Sequence, residues 1–282
     1  MRTLILVLSA LTLLAAILGL LRDYDRRFLS SEESVHELLY FPSARAVRLS
    51  AAGNELVVAD YLWLRMIQYY AYHMRKDRKY EYLFPITDRL TDLDPRFVYP
   101  YTFGALLLIS DAQDSVNSLG LLDKAKRLNP GSWMFPYMKG FILYTFLRRD
   151  EAAAVEFVAA SKLPDAWEGC LRFAGWIYRK LGRREVSKAM WQELYDTAKR
   201  PMDRAVAEYY LRAIAMEEEL ERLNGLAGRF QRVQGRPPSG FFDLIRAGFI
   251  RGVPKEPFGR KYFWDPDSLK FRSQTRLNKR VY

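Results

Sequence analysis

Apolar positions along the chain fall into three regimes. Between Thr3 and Leu21, 19 residues carry no charge. A helix of that length, rising 1.5 Å per residue, roughly matches the ~30 Å hydrocarbon core of a bilayer. The pattern therefore predicts a transmembrane anchor over 1–22 and a connecting segment over 23–53. The run exceeds the ~7–15 apolar residues of a signal peptide. Its only pair of small residues two apart, Ala10 and Thr12, lies in mid-span, so the anchor reads as uncleaved. A buried core helix is the weaker reading, because the run has no polar face. From Glu55 to Leu223 apolar residues recur at helical spacing, and prolines punctuate them. Pro95, Pro130, Pro164 and Pro201 are separated by 35, 34 and 37 residues. Proline follows a helix easily and continues one badly, so the spacing predicts an array of helix pairs over 54–223. After Leu223 the pattern changes again. Ser239 is placed to cap a short helix carrying Phe241, Leu244 and Ile245, stopped by Gly248. Arg260–Trp264 and Leu269–Ser273 can pair as a hairpin across Asp265-Pro266-Asp267-Ser268. The expected fold class is mainly α: an N-terminal transmembrane helix, a solenoid of antiparallel helix pairs, and a small α+β C-terminal module with a β-hairpin over 224–282.

Charge sharpens this division. The chain has 282 residues, with 44 Lys and Arg against 33 Asp and Glu, a formal charge of +11. Residues 224–282 hold 13 basic and 4 acidic residues, so +9 of that excess belongs to the last fifth. Within it, Arg260, Lys261, Lys270, Arg272, Lys279 and Arg280 form the candidate basic surface. Such a surface suits anionic lipid or an acidic partner. Phe258, Tyr262, Phe263, Trp264 and Phe271 are interleaved with it and could stack bases. With an anchor in the chain, nucleic acid is the less favoured partner.

Catalytic chemistry is scarce. There is one cysteine, Cys170, and there are two histidines, His36 and His73. An internal disulfide, a cysteine zinc cluster and an HExxH site are all excluded. There is no phosphate-cradling glycine loop, dinucleotide motif or Gly-x-Ser-x-Gly elbow. Cys170 reads as a buried small hydrophobe, His73 as part of a solvated helix end, and the run Glu217, Glu218, Glu219, Glu221 as a solvated face. Asp60 and Arg65 read as a buried polar pair. No catalytic residue, cofactor or metal site is expected.

Two resemblances add to this reading. The texts Leu93-Asp94-Pro95, Leu128-Asn129-Pro130 and Lys162-Leu163-Pro164, spaced by about 34 residues, resemble the tetratricopeptide helix-turn-helix repeat. The likeness covers about 150 residues. In the unit from Trp133 to Ala166, Gly140 falls on the small position of the first helix. Ala152 and Ala159 fall on the two small positions of the second. Leu181-Gly182-Arg183 resembles the family's turn, and Ala174 and Ala125 take further small positions, while Val186 and Glu193 depart from the pattern. Val58-Ala59-Asp60-Tyr61-Leu62-Trp63-Leu64-Arg65 is similar to the opening of a family of bacterial membrane-anchored tetratricopeptide proteins. Pro254-Lys255-Glu256-Pro257-Phe258-Gly259-Arg260-Lys261-Tyr262 resembles a segment of type II secretion major pseudopilins, with Phe258 for the usual Trp and Glu256 for the usual Asp. The N-terminus lacks the prepilin signal, so this second likeness concerns a small fold. Pseudopilins bind calcium in a later loop. Asp265, Asp267 and Ser268 offer three nearby oxygens, short of the usual six to eight, so a plain turn is expected there.

The repeat resemblance implies a concave wall that binds a protein or peptide partner. Tyr137, Phe141 and Tyr144 fall on its groove positions in one unit, and Leu171, Tyr178 and Arg179 in the next. Aromatics and arginine suit such a wall, although each could instead pack between repeats. The expected role is a non-enzymatic membrane-anchored scaffold in the bacterial envelope, with a secretion or pilus link suggested by the tail. The alternatives are an envelope enzyme with a carboxylate site between repeat and tail, and a cytoplasm-facing regulator whose basic tail binds lipid or nucleic acid. Expected placement is the bacterial inner membrane, single-pass, with an extracytoplasmic body. The count of Arg22, Arg26 and Arg27 against Arg2 keeps a cytoplasmic body as the alternative.

Overall fold

The structure, a computed structural model, describes residues 12–20, 22–23, 51 and 53–277. Residues 12–20 and 22–23 are helical and exposed. The expected anchor lies partly outside the described residues. Among the described ones, no helix is long and apolar enough to cross a membrane. The connecting segment also lies almost wholly outside them.

The rest is mainly helical. In chain order come α1 (Glu55–Lys76), α2 (Leu83–Leu93), α3 (Val98–Ser110), α4 (Ser115–Leu128), α5 (Met134–Thr145), α6 (Asp150–Ser161), α7 (Gly169–Lys180), α8 (Arg184–Thr197), α9 (Pro201–Gln234) and α10 (Phe241–Arg246). Strands β1 (Tyr262–Asp265) and β2 (Lys270–Ser273) follow. The chain divides into two compact units at Asn129/Pro130, and within each unit consecutive helices pack on one another. Prolines 95, 130 and 164 fall in the joints after α2, α4 and α6. Pro201 instead opens α9 at its first turn, where its missing N–H leaves nothing unsatisfied.

The first unit holds the pairs α1·α2 and α3·α4. Ala59 and Leu62 of α1 meet Leu90 and Leu93 of α2, with Trp63 and Phe97 closing over them. Asp114 caps α4 by accepting the Asn117 N–H at 3.0 Å. Lys124 reaches from α4 to Asp88 (2.7 Å) and Asp92 (2.6 Å) on α2.

The second unit holds α5·α6, α7·α8 and α9. A shared packing device runs through the pairs of both units. Gly104, Gly140 and Gly175 lie on first helices where the partner comes close. A Cβ on Gly140 would sit 3.1 Å from the Ala153 carbonyl, and one on Gly175 would sit 2.8 Å from the Trp191 ring. Opposite them lie Ser118, Ala153 and Ser187, all fully buried. The Ser118 hydroxyl donates to the Ala105 carbonyl (2.8 Å), and Ser187 donates to the Gly175 carbonyl (2.7 Å).

This corrects the repeat register. Ala152 and Ala159 are exposed, and Ala153 and Ala160 are the buried pair. The turn 146–149, with Arg148 at φ 55, leads into α6 at Asp150 and turns Ala153 and Ala160, rather than Ala152 and Ala159, toward the partner helix. The same shift moves the small position from Val186 to Ser187, and removes the apparent departure there. Gly140 and Ala125 hold their places.

Across the expected boundary at 223/224, α9 runs unbroken from Pro201 to Gln234. Its second half is the floor of the C-terminal module. Met216, Leu223, Ala227 and Phe230 form one core with Leu244, Ile250, Tyr262 and Phe271. Asn224 ties strand to helix: its side-chain amide donates to the Phe271 carbonyl (3.2 Å) and its oxygen accepts the Phe271 N–H (2.6 Å). The hairpin is antiparallel, with Tyr262 opposite Ser273 and Trp264 opposite Phe271. The short helix begins after Gly240 rather than Ser239. Ser239 instead donates both N–H and hydroxyl to Asp243. Gly248, at φ 76, ends it where the sequence pattern puts the stop.

Candidate partner-binding surface

The proposed wall residues all lie in the second unit, and their surroundings differ. Tyr137 sits inside a ring cluster, 5.7 Å from Phe157 and 5.6 Å from Trp167 between ring centroids. Burial pushes its hydroxyl pKa up. Leu171 is 6% exposed and belongs to the core with Trp191, Leu194 and Tyr210. Arg179 pairs with Glu217 on α9 and lies over the Tyr210 ring. These three hold helices together, as inter-repeat packing would have them do.

Phe141, Tyr144 and Tyr178 are half-buried and keep an outer surface. Tyr144 on α5 meets Trp176 on α7 edge-to-face, with centroids 5.6 Å apart, and the Lys180 ammonium stands 5.4 Å over the Tyr144 ring. Trp176 and Lys180 extend the candidate surface beyond the residues that the repeat template marks. Trp176 lies two residues before Tyr178 and Lys180 one residue after Arg179, so the template passes over both. Lys180 also pairs with Asp150 at 2.6 Å.

The acidic run on α9 is paired rather than simply solvated, although Glu221 stays exposed. Glu217 binds Arg179, Glu218 binds Lys188 (3.0 Å), Glu219 binds Arg222 (2.7 Å) and Glu221 binds Arg184 (2.5 Å). Nearer the start of α9, Asp203 is 2% exposed and accepts from Arg172 (3.1 Å) and Arg200 (2.9 Å). Glu168 holds Arg200 as well, at 2.9 Å. Carboxylates of α9 thus latch it to α7 and α8. Most of these partners lie about 30–38 residues away in sequence, beyond any spacing rule, whereas Glu219–Arg222 and Asp203–Arg200 are local i,i+3 pairs.

The tail presents the opposite electrostatics. Arg260, Lys261 and Lys270 are exposed and make no ion pair among the described residues. Arg272 is the exception, bound to Asp265 at 2.7 Å. Lys279 and Arg280 lie outside the described residues. A groove of about 540 Å³ is lined by Phe258, Arg260, Gln274, Thr275 and Arg276. Beneath it Glu256 is 6% exposed. Its carboxylate accepts the N–H groups of Phe258 (2.7 Å) and Arg260 (3.0 Å) and the Ser273 hydroxyl (3.0 Å). Burial alone would raise its pKa. Hydrogen bonds from backbone N–H groups and from the Ser273 hydroxyl outweigh burial and hold it low. Glu256 therefore stands as a fixed anion that folds the turn, with its oxygens already occupied.

The tail's aromatics divide the same way. Tyr262 and Phe271 are buried, Phe258 and Trp264 pack against them, and Phe263 is 41% exposed. They form the module's core and leave no row of open rings for bases. The hairpin turn leaves no free oxygen cluster either. Asp265 accepts from the Asp267 N–H (3.2 Å) and the Ser268 hydroxyl (2.7 Å) besides binding Arg272.

Chemistry-bearing residues elsewhere are equally engaged. Cys170 is fully buried, and burial pushes its thiol up to about 12. His73 is not a solvated end: it is 5% exposed, 2.7 Å from Asp77 and 4.4 Å, ring to ring, from Tyr69. Its hydrogen bond, with the Lys79 N–H, lowers the Asp77 pKa. Asp60 and Arg65 are not a pair. Asp60 is exposed, and Arg65 donates to Gln68 at 3.4 Å. His36 lies outside the described residues. Among the described residues, no group of three or more His, Cys, Asp or Glu side chains is placed to hold a metal ion. No protein-family model matches the chain, and no curated protein matches it either.

Proposed function

We propose that the chain is a non-enzymatic scaffold of helical repeats that binds a protein or peptide partner, tethered to the bacterial inner membrane by residues 1–22 with its body on the outer side. The observation that carries the binding role is the aromatic and cationic surface of Phe141, Tyr144, Trp176, Tyr178 and Lys180. It spans two consecutive helix pairs, its rings are half-exposed, and its backbone is held by close-packed glycines. Rigid aromatic anchors beside a cation give contact area with little ordering cost. The basic tail adds electrostatic attraction toward an acidic partner or anionic headgroups. The likeness of its turn to the pseudopilin segment makes a secretion- or pilus-related assembly the first place to look for the partner.

The test is photo-crosslinking in native membranes. A benzophenone amino acid at Phe141 or Tyr178 should capture a defined protein, identified by mass spectrometry. The same group at Val155, an exposed α6 position, should not. Equal capture at all three sites would remove the binding reading. Reversing Arg260, Lys261 and Lys270 to Glu tests the tail without cutting α9, and unchanged capture would confine recognition to the aromatic surface. Protease added to intact spheroplasts tests the placement separately, since full protection would put the body in the cytoplasm.

A further inference from the structure

Helix α1 is apolar on two opposite faces. Ala59, Leu62, Met66 and Tyr69 face inward and are buried. On the other side Leu56, Val57, Tyr61, Leu64, Ile67 and Met74 are 38–66% exposed. Leu56 and Val57 are adjacent and the others follow at intervals of four, three, three and seven, so the six share one side of a 22-residue helix about 33 Å long. Soluble helices normally carry charge on that side, and a helix apolar all round is normally covered. Three polar residues interrupt the stripe: Asp60, Gln68 and Arg75, all exposed. Neither Asp60 nor Arg75 makes an ion pair among the described residues.

Their placement has a symmetry. Asp60 lies seven residues before Ile67, and Arg75 lies seven residues after Gln68. Seven residues are about two helical turns, so both charges return to the same stripe at equal distances from its midpoint. We infer that this stripe is an interface between two copies of the chain, with their α1 helices antiparallel about a two-fold axis at Ile67–Gln68. That pairing sets Asp60 of each copy level with Arg75 of the other, twice by symmetry. It also sets Leu64 level with Ala71 and Tyr61 level with Met74. The wider charge balance leans the same way: Glu55 and Asp60 stand toward one end of the helix, and Arg75, Lys76, Arg78 and Lys79, with Asp77 among them, at or just beyond the other. A hydrocarbon surface fits less well, because it would strand Gln68 at the centre of the contact and the Asp60 charge within it. A single helix stripe falls at the small end of specific interfaces, below about 1,200 Å² in total, so the pairing is a weak one.

Disulfide trapping of the purified full chain tests this directly. Cys170 is fully buried and does not compete. Gln68→Cys sits beside the proposed axis and should give a covalent dimer under mild oxidation. Val116→Cys, 79% exposed on α4, should not. In the Gln68→Cys background, Asp60→Arg or Arg75→Asp alone should lower the yield about tenfold, and the two together should restore it to within about twofold. Circular dichroism of each variant checks that the exposed substitutions leave the fold intact. Restoration by the double reversal is possible only if the two charges meet across copies. Trapping no better than in Val116→Cys, or trapping indifferent to both reversals, would overturn the proposal. So would quenching of a dye at Leu64→Cys by lipid-borne quencher in vesicles, which would assign the stripe to the membrane.

Discussion

Helices α1 and α9, the first and last long helices of the described chain, face the same problem with different answers. Each packs one side against a neighbouring helix and has apolar residues left on another. On α9 the chain supplies its own cover. Leu223, Ala227 and Phe230 are buried under the short helix and hairpin of the tail, pinned by Asn224. On α1 the corresponding stripe is open among the described residues. Helical repeats bury their faces on each other, so the ends need a separate device. The tail is that device for one end, and its fold explains an otherwise odd composition. Its aromatics go inward to make a cover, and its cations, with few acids nearby, go outward. The charge of the repeat helices α7–α9 is instead consumed in latching one helix to the next.

The largest way to break this contrast is to remove the cover. Phe271 is 2% exposed and packs on Phe241 and Trp264. Phe271→Ala should cost about 3–5 kcal/mol in the module's stability, read by denaturant unfolding followed through Trp264 fluorescence. Asn224→Ala should cost less, about 1–3 kcal/mol, because it leaves the Phe271 N–H and carbonyl without partners. If it costs nothing, the strand is held by its apolar face alone. Tyr262→Phe should go the other way. Its buried hydroxyl has no hydrogen-bond partner among the described residues, so the substitution should be neutral or stabilise by up to about 1 kcal/mol.

Acid gives a gentler test of the same module. Glu256 and Asp243 both have folded pKa values below their ordinary ones. The Arg236 guanidinium, and then the Ser239 N–H and hydroxyl, depress Asp243. A depressed carboxylate contributes stability that is fully present above its unfolded pKa, near 4, and is lost as pH falls through the lowered folded value. The tail should therefore loosen below about pH 4, and Glu256→Gln should flatten that dependence at a lower starting stability. A module equally stable at pH 3 and pH 7 would mean that the turn does not depend on this anion.

Much of the fold was legible because its signals are local. Prolines at near-equal spacing gave the period, and Gly248 and the Asp265–Ser268 turn gave the tail's joints. The one-residue slip in the second helices was not legible, because it depends on how many residues the turn at Arg148 consumes. The Glu217–Glu221 run looked solvated because the partners of Glu217, Glu218 and Glu221, on α7 and α8, are distant in sequence. Asn224 gave no signal at all: a polar residue in mid-helix says nothing of the strand it will hold. On the proposed binding surface, the template marked Phe141, Tyr144 and Tyr178, which keep an outer face. It also marked Leu171 and Arg179, which α9 claims, since a repeat template does not know that a long final helix will lie against that side.

The smallest expected effect is the sharpest test of the contrast between ends. Leu62 and Leu64 are two residues apart on α1, 4% and 58% exposed. Leu62→Gln buries a polar amide against α2 and removes core contacts, so a loss of several kcal/mol is expected, on the order of 2–5. Leu64→Gln changes a side chain that touches little of its own chain, so its effect on the dilute protein should stay within about 0.5 kcal/mol. At high protein concentration the same substitution should matter more, because a pairing copy is stabilising by mass action and Leu64 lies near the centre of the proposed contact. A Leu64→Gln variant that unfolds like Leu62→Gln even when dilute would mean that the stripe is packed within the monomer. The two end helices would then be covered in the same way, by the chain itself, and the case for a second copy on α1 would fall with the contrast.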